Sequence, residues 1–206
     1  MTDLDWPACR NARDLGGLGN VRPGALYRSD GLFLLTAAGI DAVRAAGVSL
    51  ILDLRRPSEC EREPSPFAGE PGYRHVSILE EVVTYEIPHD SYGPMLDFNK
   101  PRIADAFRAL AAAPPGAVLV YCHGGRDRTA VVVALALAVA GVPPEQIVAD
   151  YGRSPDRLPG AMAATLDHLE TVYGGAESYL DHIGVTPAEV RAVRRRLTGT
   201  GEAGPA

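Results

Sequence analysis

Short apolar runs and longer stretches of helical spacing alternate along the first part of the chain. Residues 24–28 and 117–121 form short apolar runs, and Val48 to Leu54 is a continuous apolar segment. Runs of this length and composition predict buried strands. Residues Tyr73 to Leu79 alternate in polarity, which predicts a further strand.

Helical patterns lie between these strands and continue alone after the last of them. Thr36 is a typical N-cap residue, and Gly47 follows the helix that it would begin. Residues 80–99 contain scattered Pro and Gly and are predicted to be a long connection. Helices are predicted from Thr36 to about Ala46, from Pro101 to about Ala113, from Thr129 to Ala140, and over residues 144–150, 157–173, 175–182 and 187–197.

This order of elements predicts an α/β fold, with a central, largely parallel sheet flanked by helices and a helical C-terminal part. Neither an internal repeat nor a linker rich in Pro, Gly or Ser divides the sequence. We therefore predict a single domain over residues 1–198. A Gly-rich tail follows, residues 199–206, and it is expected to be disordered.

The composition narrows the classes of function. With 206 residues, 46% of them hydrophobic, the chain is long enough to bury one sizeable core. Its net charge of −6 argues against a general nucleic-acid binder or a polybasic membrane-surface protein. The longest apolar run, Thr129 to Val142, is too short to span a bilayer.

The cysteines and the first residues of the chain predict a cytoplasmic location. Three widely spaced cysteines match neither a disulfide framework nor a zinc motif, which favours a reducing compartment. The histidines show no metal-ligand spacing, so no metal site is expected. Residues 1–7 are acidic and lack the apolar core of a secretory signal.

One segment, residues 121–130, combines a strand end, a tight turn and a helix start. It reads Tyr-Cys-His-Gly-Gly-Arg-Asp-Arg-Thr-Ala and places Cys122 directly after an apolar run. Backbone N–H groups of such a turn point inward, and the helix N-terminus adds partial positive charge, so the turn can hold a phosphate dianion. The same field favours the thiolate, which is the nucleophilic form of cysteine. Arg128 could grip two phosphate oxygens with its planar guanidinium.

The alternative interpretation of this segment is structural. Cys122 would be a buried cysteine at a strand end, and Arg126 and Arg128 would be ordinary charges at a helix start. However, two arginines are poorly placed at a positive helix terminus unless an anion is bound there. Cys122 also differs from Cys9 and Cys60 because only Cys122 is followed by an arginine six positions later. These features favour phosphate chemistry.

Segments on both sides of the loop resemble the bacterial Cys-dependent tyrosine/serine phosphatases, whose loop usually reads His-Cys-x-x-Gly-Lys-Asp-Arg-Thr-Gly. Residues 11–17 (Asn-Ala-Arg-Asp-Leu-Gly-Gly) are similar to an N-terminal motif of that group, and residues 26–32 to its Arg-Ser segment. The resemblance covers about residues 9 to 197 and implies a tyrosine-phosphatase-like fold. Further similar segments are Ile51 to Arg55 with Glu59, residues 147–151 with Ser154, and residues 173–175 with Tyr179 and Leu180.

The resemblance implies hydrolysis of phosphomonoesters through a cysteinyl-phosphate intermediate. Cys122 would attack phosphorus, and Arg128 with the loop N–H groups would hold the phosphate oxygens. Water would then hydrolyse the intermediate while Thr129 donates a hydrogen bond to the departing sulfur. No metal or cofactor is required. The implied phosphate-binding and substrate-binding positions are His123, Gly124, Gly125, Arg126 and Thr129.

The general acid that protonates the leaving oxygen has two candidate locations. Asp127 lies in the loop itself, although a carboxylate is also favoured there simply because a helix begins. Glu80 and Glu81 follow a predicted strand in the region where relatives carry an acidic loop, or they form a solvated charge pair. We predict Asp127 as the acid and keep Glu80 and Glu81 as the alternative.

The chain departs from the family pattern at three positions of the loop. Tyr121 stands where histidine is usual, and because that histidine helps to order the loop, weaker thiolate stabilisation is expected. Arg126 replaces a lysine, and it either binds a second substrate phosphate or carboxylate or is solvated. Ala130 replaces a glycine, which a helix start should tolerate. Residues 80–116 leave little room for the helical insert that covers the site in some relatives, so a more open pocket is expected.

Several further charged residues and thiols are expected to be structural. Arg13, Arg28 and Arg55 are expected in salt bridges rather than as secondary cations of the pocket. Cys9 and Cys60 are expected to be inert thiols rather than redox partners of the loop cysteine.

The expected substrate is a phosphorylated protein carrying phosphotyrosine, with phosphoserine, phosphothreonine or a phosphoinositide as further substrates. Neither nucleic acid nor a transmembrane segment is expected. The alternative enzyme is a phosphatase of small metabolites, such as nucleotide or sugar phosphates. Intact Cys122 and Arg128 disfavour a phosphate-binding pseudophosphatase, and the helix-opening loop disfavours a sulfurtransferase of the rhodanese kind.

Overall fold

A computed structural model describes residues 1–85 and 90–199, and a six-stranded sheet lies at the centre of that described part. The strand order is β1-β2-β3-β6-β4-β5. Strands β3, β6, β4 and β5 are parallel, and the short β1 and β2 add to β3 in antiparallel orientation. The prediction of a largely parallel sheet is confirmed. The strands are β1 (Thr2–Asp3), β2 (Arg13–Asp14), β3 (Leu26–Ser29), β4 (Val48–Asp53), β5 (Tyr73–His75) and β6 (Ala117–Tyr121).

Helices cover both faces of the sheet, and none in the described residues is long and apolar enough to cross a membrane. A 3-10 turn (Leu32–Leu34) precedes α1, and a π-helical turn (Leu169–Tyr173) follows α7. The α-helices are α1 (Ala37–Ala45), α2 (Pro57–Arg62), α3 (Gly93–Phe98), α4 (Lys100–Ala111), α5 (Asp127–Val139), α6 (Pro144–Gly152), α7 (Ala161–His168), α8 (Ala176–His182) and α9 (Pro187–Thr198).

Alternation along β6 divides the interior into two apolar clusters. Val118 and Val120 face the larger cluster, which contains α5 and the buried faces of α4 and α6 to α9. Leu119 and Tyr121 face the smaller cluster, which is closed by α1 and Trp6. Helix α5 is buried on every side from Thr129 to Leu137, as its continuous apolar sequence predicts.

The carboxyl ends of three parallel strands meet at one edge of the sheet. In the strand register, Tyr121 at the end of β6 pairs with Ser29 of β3 on one side and with Asp53 of β4 on the other. The segments that follow these residues therefore converge, and crevices at such edges are where open α/β sheets bind ligands.

The observed elements differ from the prediction in several places, and the short elements β1, β2 and α2 were not predicted. Strand β5 ends at His75 rather than Leu79, because the hydroxyl of Ser77 bonds to the carbonyl of Leu79 and turns the chain. Within the predicted connection 80–99, helix α3 buries Met95 and Leu96. Helix α7 begins only after Gly160, whose φ of 78° is incompatible with a helix. Apart from Gly199, the expected tail lies outside the described residues.

Candidate active site

The loop between β6 and α5 is a tight turn that requires a glycine. Gly125 has a φ of +61°, and a Cβ there would lie 2.3 Å from the carbonyl oxygen of Ser29. The carbonyl of His123 accepts a hydrogen bond of 2.9 Å from the N–H of Gly31. Cys122 is buried at the base of the turn, whereas Gly124 borders open space. The loop is thus anchored to the segment after β3, and its other face is open.

A cluster of buried charges holds the loop from behind. The carbonyl of Gly125 accepts hydrogen bonds from Asn11 Nδ2 at 2.9 Å and from Arg28 Nη2 at 2.7 Å. Arg28 and Arg13 both bind the carboxylate of Asp150, with Arg13 Nε 2.7 Å from Asp150 Oδ1. We call Arg13, Arg28 and Asp150 the rear cluster. The expectation that these two arginines form salt bridges is confirmed.

The carboxyl of Asp150 stays ionised although the rear cluster is closed to solvent. Burial opposes ionisation of Asp150, but the Arg28 and Arg13 guanidinium groups outweigh it and lower the pKa of that carboxyl. Burial, together with repulsion from Arg28, lowers the pKa of Arg13. One carboxylate therefore stabilises two arginines, and one of these, Arg28, positions the loop through Gly125.

Tyr121, which stands at the usual histidine position, belongs to a second buried network under the loop. Its hydroxyl donates to Asp53, as does the hydroxyl of Tyr73 at 2.8 Å. Arg55 binds the same carboxylate at 2.7 Å, so its expected salt bridge is confirmed. Burial raises the pKa of Tyr121 well above its ordinary value, and its hydroxyl remains a donor. Asp53 thus ends a strand and anchors the residue before Cys122.

A pocket of about 830 Å³ opens in front of the loop. Arg128 reaches along it and binds the carboxylate of Glu59 in a two-pronged ion pair, with Arg128 Nη2 2.8 Å from Glu59 Oε1. Burial alone would raise the pKa of Glu59, but hydrogen bonds from Arg128 and from the Arg56 N–H lower it to about 2. Arg128 is therefore held extended beside the loop by an ionised partner.

Asp127 and Arg126 form the second ion pair of the pocket. Arg126 Nε lies 2.8 Å from Asp127 Oδ1, and its Nη2 lies 3.0 Å from Oδ2. The hydroxyl of Tyr92 also donates to Asp127 Oδ1. We call Arg128–Glu59 and Arg126–Asp127 the front pairs. Both contain an arginine of the loop segment and face the pocket.

Two other loop residues, Thr129 and His123, differ in their exposure to solvent. Thr129 is buried, and its Oγ1 has no hydrogen-bond partner among the described residues. His123 is half exposed, with Nε2 3.1 Å from Glu63 Oε2 and its ring 5.2 Å from that of Phe33. Thr129 therefore has a spare donor at the base of the loop, and His123 borders the pocket mouth.

Glu80 and Glu81 lie on the surface and do not line this pocket. Glu80 pairs with Arg102 at 2.9 Å. Glu81 accepts from the backbone N–H of Ser58 at 2.9 Å and from its hydroxyl at 2.7 Å, and these bonds lower the pKa of Glu81. The structure brings Asp127, not these two glutamates, next to Arg128 and the loop.

Both remaining cysteines are free thiols with reduced acidity. Burial raises the pKa of Cys9 and of Cys60 to about 11, so both remain protonated at neutral pH. Cys9 lines the pocket, and Cys60 lies 3.7 Å from an oxygen of Asp53. These environments support the expectation that neither thiol is reactive.

Sequence reasoning alone does not identify the partners of the two loop arginines. Glu59 is the third residue of a helix that starts with Pro57, a pattern typical of a helix start that could have located it. Tyr92 lies in the stretch expected to be a connection, and no local pattern marks it. It reaches Asp127 through a contact between segments 35 positions apart, with its backbone held on Thr165 of α7.

The sequence is similar to known tyrosine phosphatases. The model of the "Tyrosine phosphatase family" matches residues 4–159 and 156–199. A tyrosine-protein phosphatase of Nostoc commune is 30% identical over 96% of this chain and 79% of that protein. The triple specificity protein phosphatase PtpB of Mycobacterium tuberculosis is 29% identical over 82% of this chain and 75% of that protein.

Among solved structures, the crystal structure of P. aeruginosa TpbA matches 94% of this chain and 98% of that chain, with 17% identity and a TM-score of 0.43. That likeness is too distant to support a correspondence between residues. The family match instead spans nearly all of the described residues and includes the loop with Cys122 and Arg128. The chain belongs to the tyrosine phosphatase family.

Proposed function

We propose that this chain hydrolyses phosphotyrosine in proteins through a cysteinyl-phosphate formed on Cys122. The observation that carries the proposal is the loop itself: a buried cysteine, a glycine turn and an arginine held beside it, all at the start of a buried helix. Residues 1–198 would act as one phosphatase domain. Three unpaired cysteines support a reducing compartment such as the cytoplasm.

In the first step, the Cys122 thiolate attacks phosphorus, an S–P bond forms and the ester P–O bond breaks. N–H groups of the loop and the Arg128 guanidinium hold the equatorial oxygens, which gain charge in the transition state. Arg126 leaves Asp127 for the bound substrate, and Asp127, in its protonated form, gives its proton to the departing oxygen. For this step Arg128 exchanges the carboxylate of Glu59 for two phosphate oxygens.

In the second step, water attacks phosphorus and the S–P bond breaks, which releases inorganic phosphate and the thiolate. Asp127, now ionised, takes the proton of the attacking water. The spare hydroxyl of Thr129 is the donor for the departing sulfur, because it has no other acceptor among the described residues. Asp127 is thereby protonated again, and Cys122 is again a thiolate.

The pocket supports an aromatic phosphate ester as the preferred substrate. Its volume of about 830 Å³ exceeds the need of a phosphoryl group, and Phe33 and Leu34 supply apolar surface at its rim. Arg62 and Arg126 also line it and suit an acidic neighbour of the phosphorylated residue. We propose phosphoserine, phosphothreonine and phosphoinositides as further substrates, following the triple specificity named for the M. tuberculosis relative.

Hydrolysis of p-nitrophenyl phosphate in the presence of EDTA tests the proposal. The unmodified chain should turn over, and Cys122→Ser should lose about 10⁴-fold or more in kcat, because losing the nucleophile abolishes the covalent route. Cys60→Ser is the matched control and should retain activity, because Cys60 lies outside the loop and a serine hydroxyl can replace its thiol as a donor to Asp53. An inactive unmodified chain, or an active Cys122→Ser variant, would contradict the proposed chemistry.

A panel of phosphates then tests the substrate class. Phosphotyrosine peptides should give a higher kcat/KM than phosphoserine peptides, a phosphoinositide headgroup, a nucleotide monophosphate or a sugar phosphate. If a nucleotide or sugar phosphate gave a higher kcat/KM than every phosphopeptide, the chain would instead be assigned to the hydrolysis of small metabolites.

A further inference from the structure

A chain of buried hydroxyl groups reaches Asp127 from behind. We propose that Tyr92 and Tyr151 are positioning residues that orient the Asp127 carboxyl for proton transfer to the leaving group. The inference rests on the proposed function, since it takes Asp127 as the general acid. It adds two side chains that lie outside the phosphate-binding loop.

The hydrogen bonds of this chain run in one direction. The backbone N–H of Leu158 donates to the Tyr151 hydroxyl at 2.9 Å, so that oxygen already acts as an acceptor. The two tyrosine hydroxyl oxygens are 2.8 Å apart, and the Tyr92 hydroxyl lies within hydrogen-bond distance of Asp127 Oδ1. A hydroxyl has one proton to donate. Tyr151 therefore donates to Tyr92, and Tyr92 donates to Asp127.

Tyr92 is held by its ring and by its backbone, so its hydroxyl has little freedom to move. Its ring meets that of Tyr151 edge to face, with centroids 5.9 Å apart. Its backbone N–H donates to Thr165 Oγ1 at 2.8 Å, and the Thr165 hydroxyl donates to the carbonyl of Ala161. Helices α6 and α7 thereby fix Tyr92, the residue before α3. The Asp127 carboxyl at the start of α5 receives its orientation from this support.

A neutral hydroxyl suits a carboxyl that must change its charge during turnover. Burial, reinforced by the bond to Asp127, raises the pKa of Tyr92 far above its ordinary value, so the hydroxyl keeps its proton throughout the pH range of interest. It can donate to the carboxylate and, after reorienting, accept from the carboxylic acid. Arg126, which also binds Asp127, has donors only. Tyr92 can thus keep the carboxyl in place in both steps of the reaction.

The test compares aryl phosphates whose leaving groups differ in pKa. General acid catalysis matters little for p-nitrophenolate, a good leaving group, and strongly for phenolate, a poor one. Tyr92→Phe should leave kcat/KM for p-nitrophenyl phosphate near that of the unmodified chain and lower kcat/KM for phenyl phosphate about tenfold, because kcat/KM reports the step in which the leaving group departs. Tyr151→Phe should act in the same direction with a smaller effect. KM should change little in either variant.

Tyr179→Phe is the matched control for the loss of a buried hydroxyl. Tyr179 is as buried as Tyr92, and its hydroxyl donates to the carbonyl of Leu96 in α3 at 2.8 Å, so it supports the same helix without touching Asp127. It should not change the dependence on the leaving group. The double variant Tyr92→Phe/Asp127→Asn should be no slower on phenyl phosphate than Asp127→Asn alone.

The outcomes separate this inference from the proposed function. An unmodified chain that turns over, with Tyr92→Phe matching Tyr179→Phe on both substrates, would overturn the positioning role and leave the cysteine chemistry standing. An Asp127→Asn defect in kcat/KM that is equal for both leaving groups would also overturn it, because Asp127 would not then be the acid. Failure of the proposed function would instead appear as an unmodified chain without turnover.

Discussion

The rear cluster and the front pairs contain the same chemical groups on opposite faces of one loop. Both join arginine to carboxylate. The N–O distance is 2.7 Å in Arg13–Asp150 and 2.8 Å in Arg126–Asp127 and in Arg128–Glu59. Their exposure differs: the side chains of Arg13, Arg28 and Asp150 are 1–2% exposed, whereas Arg128 and Glu59 are 13% and 14% exposed. Arg126 and Asp127 reach 30% and 32%.

The difference in exposure separates charges that hold the loop from charges that, as we propose, contact the substrate. A buried pair has no alternative partner, so removing one member leaves an uncompensated charge. A pair that faces a pocket can exchange its carboxylate for a phosphate, which offers the same planar array of acceptors to arginine. We therefore expect stability to depend on the rear cluster and turnover to depend on the front pairs.

The largest expected effect is the loss of stability in Asp150→Asn. The substitution leaves Arg13 and Arg28 buried without a counter-charge, which should reduce the free energy of unfolding by about 3–5 kcal/mol. Urea or thermal unfolding followed by circular dichroism measures it. Asp3→Asn is the control: Asp3 pairs with Arg153 at 2.6 Å but is 75% exposed, and its loss should cost about 1 kcal/mol or less.

Equal unfolding midpoints for Asp150→Asn and Asp3→Asn would contradict the structural role of the rear cluster. An Asp150→Asn variant that shows no cooperative unfolding would be unfolded from the start, which is the predicted loss of stability at its largest. Asn11→Ala extends the series, because it removes one of the two hydrogen bonds to the Gly125 carbonyl and an acceptor of Arg13 without changing a charge.

The next effect is a loss of turnover in Arg128→Ala. We propose that Arg128 holds the transition-state oxygens, so its removal should lower kcat by about 10²–10³-fold, measured with p-nitrophenyl phosphate. Arg128→Lys should recover little of it, because lysine keeps the charge but lacks the planar pair of donors. The free energy of unfolding should change less than in Asp150→Asn. A kcat within tenfold of the unmodified chain would contradict the assignment.

The parts of the fold that sequence predicts are those with local patterns. The apolar run of β6, the glycine turn and the apolar helix α5 are adjacent in sequence and were each recognisable from it. The Thr36 cap is confirmed by its hydrogen bond from the Gly39 N–H at 3.2 Å. Helices α2 and α3 have six residues each, so neither spans enough turns to give a clear period.

The site is less predictable because its supporting contacts join distant segments. Arg13 and Asp150 are 137 positions apart, and Tyr92 and Asp127 are 35 apart. Sequence can identify Cys122 and Arg128 by their spacing in the loop. It cannot tell which arginines are closed off behind that loop and which face the pocket, since that distinction depends on packing of the whole domain.

The smallest predicted effect concerns the acid stability that Glu59 contributes. Its pKa is lowered from 4.5 to about 2, so its pairing with Arg128 stabilises the fold fully above pH 4.5 and loses that contribution as the pH falls toward 2. Glu59→Gln should therefore cost about 1–2 kcal/mol at pH 7, and its deficit should shrink between pH 4.5 and 2. Urea unfolding of both proteins across that range measures the difference. A deficit that stays constant with pH would show that Glu59 acts through packing rather than charge, and the front pair would then resemble a neutral contact more than an exchangeable anion partner.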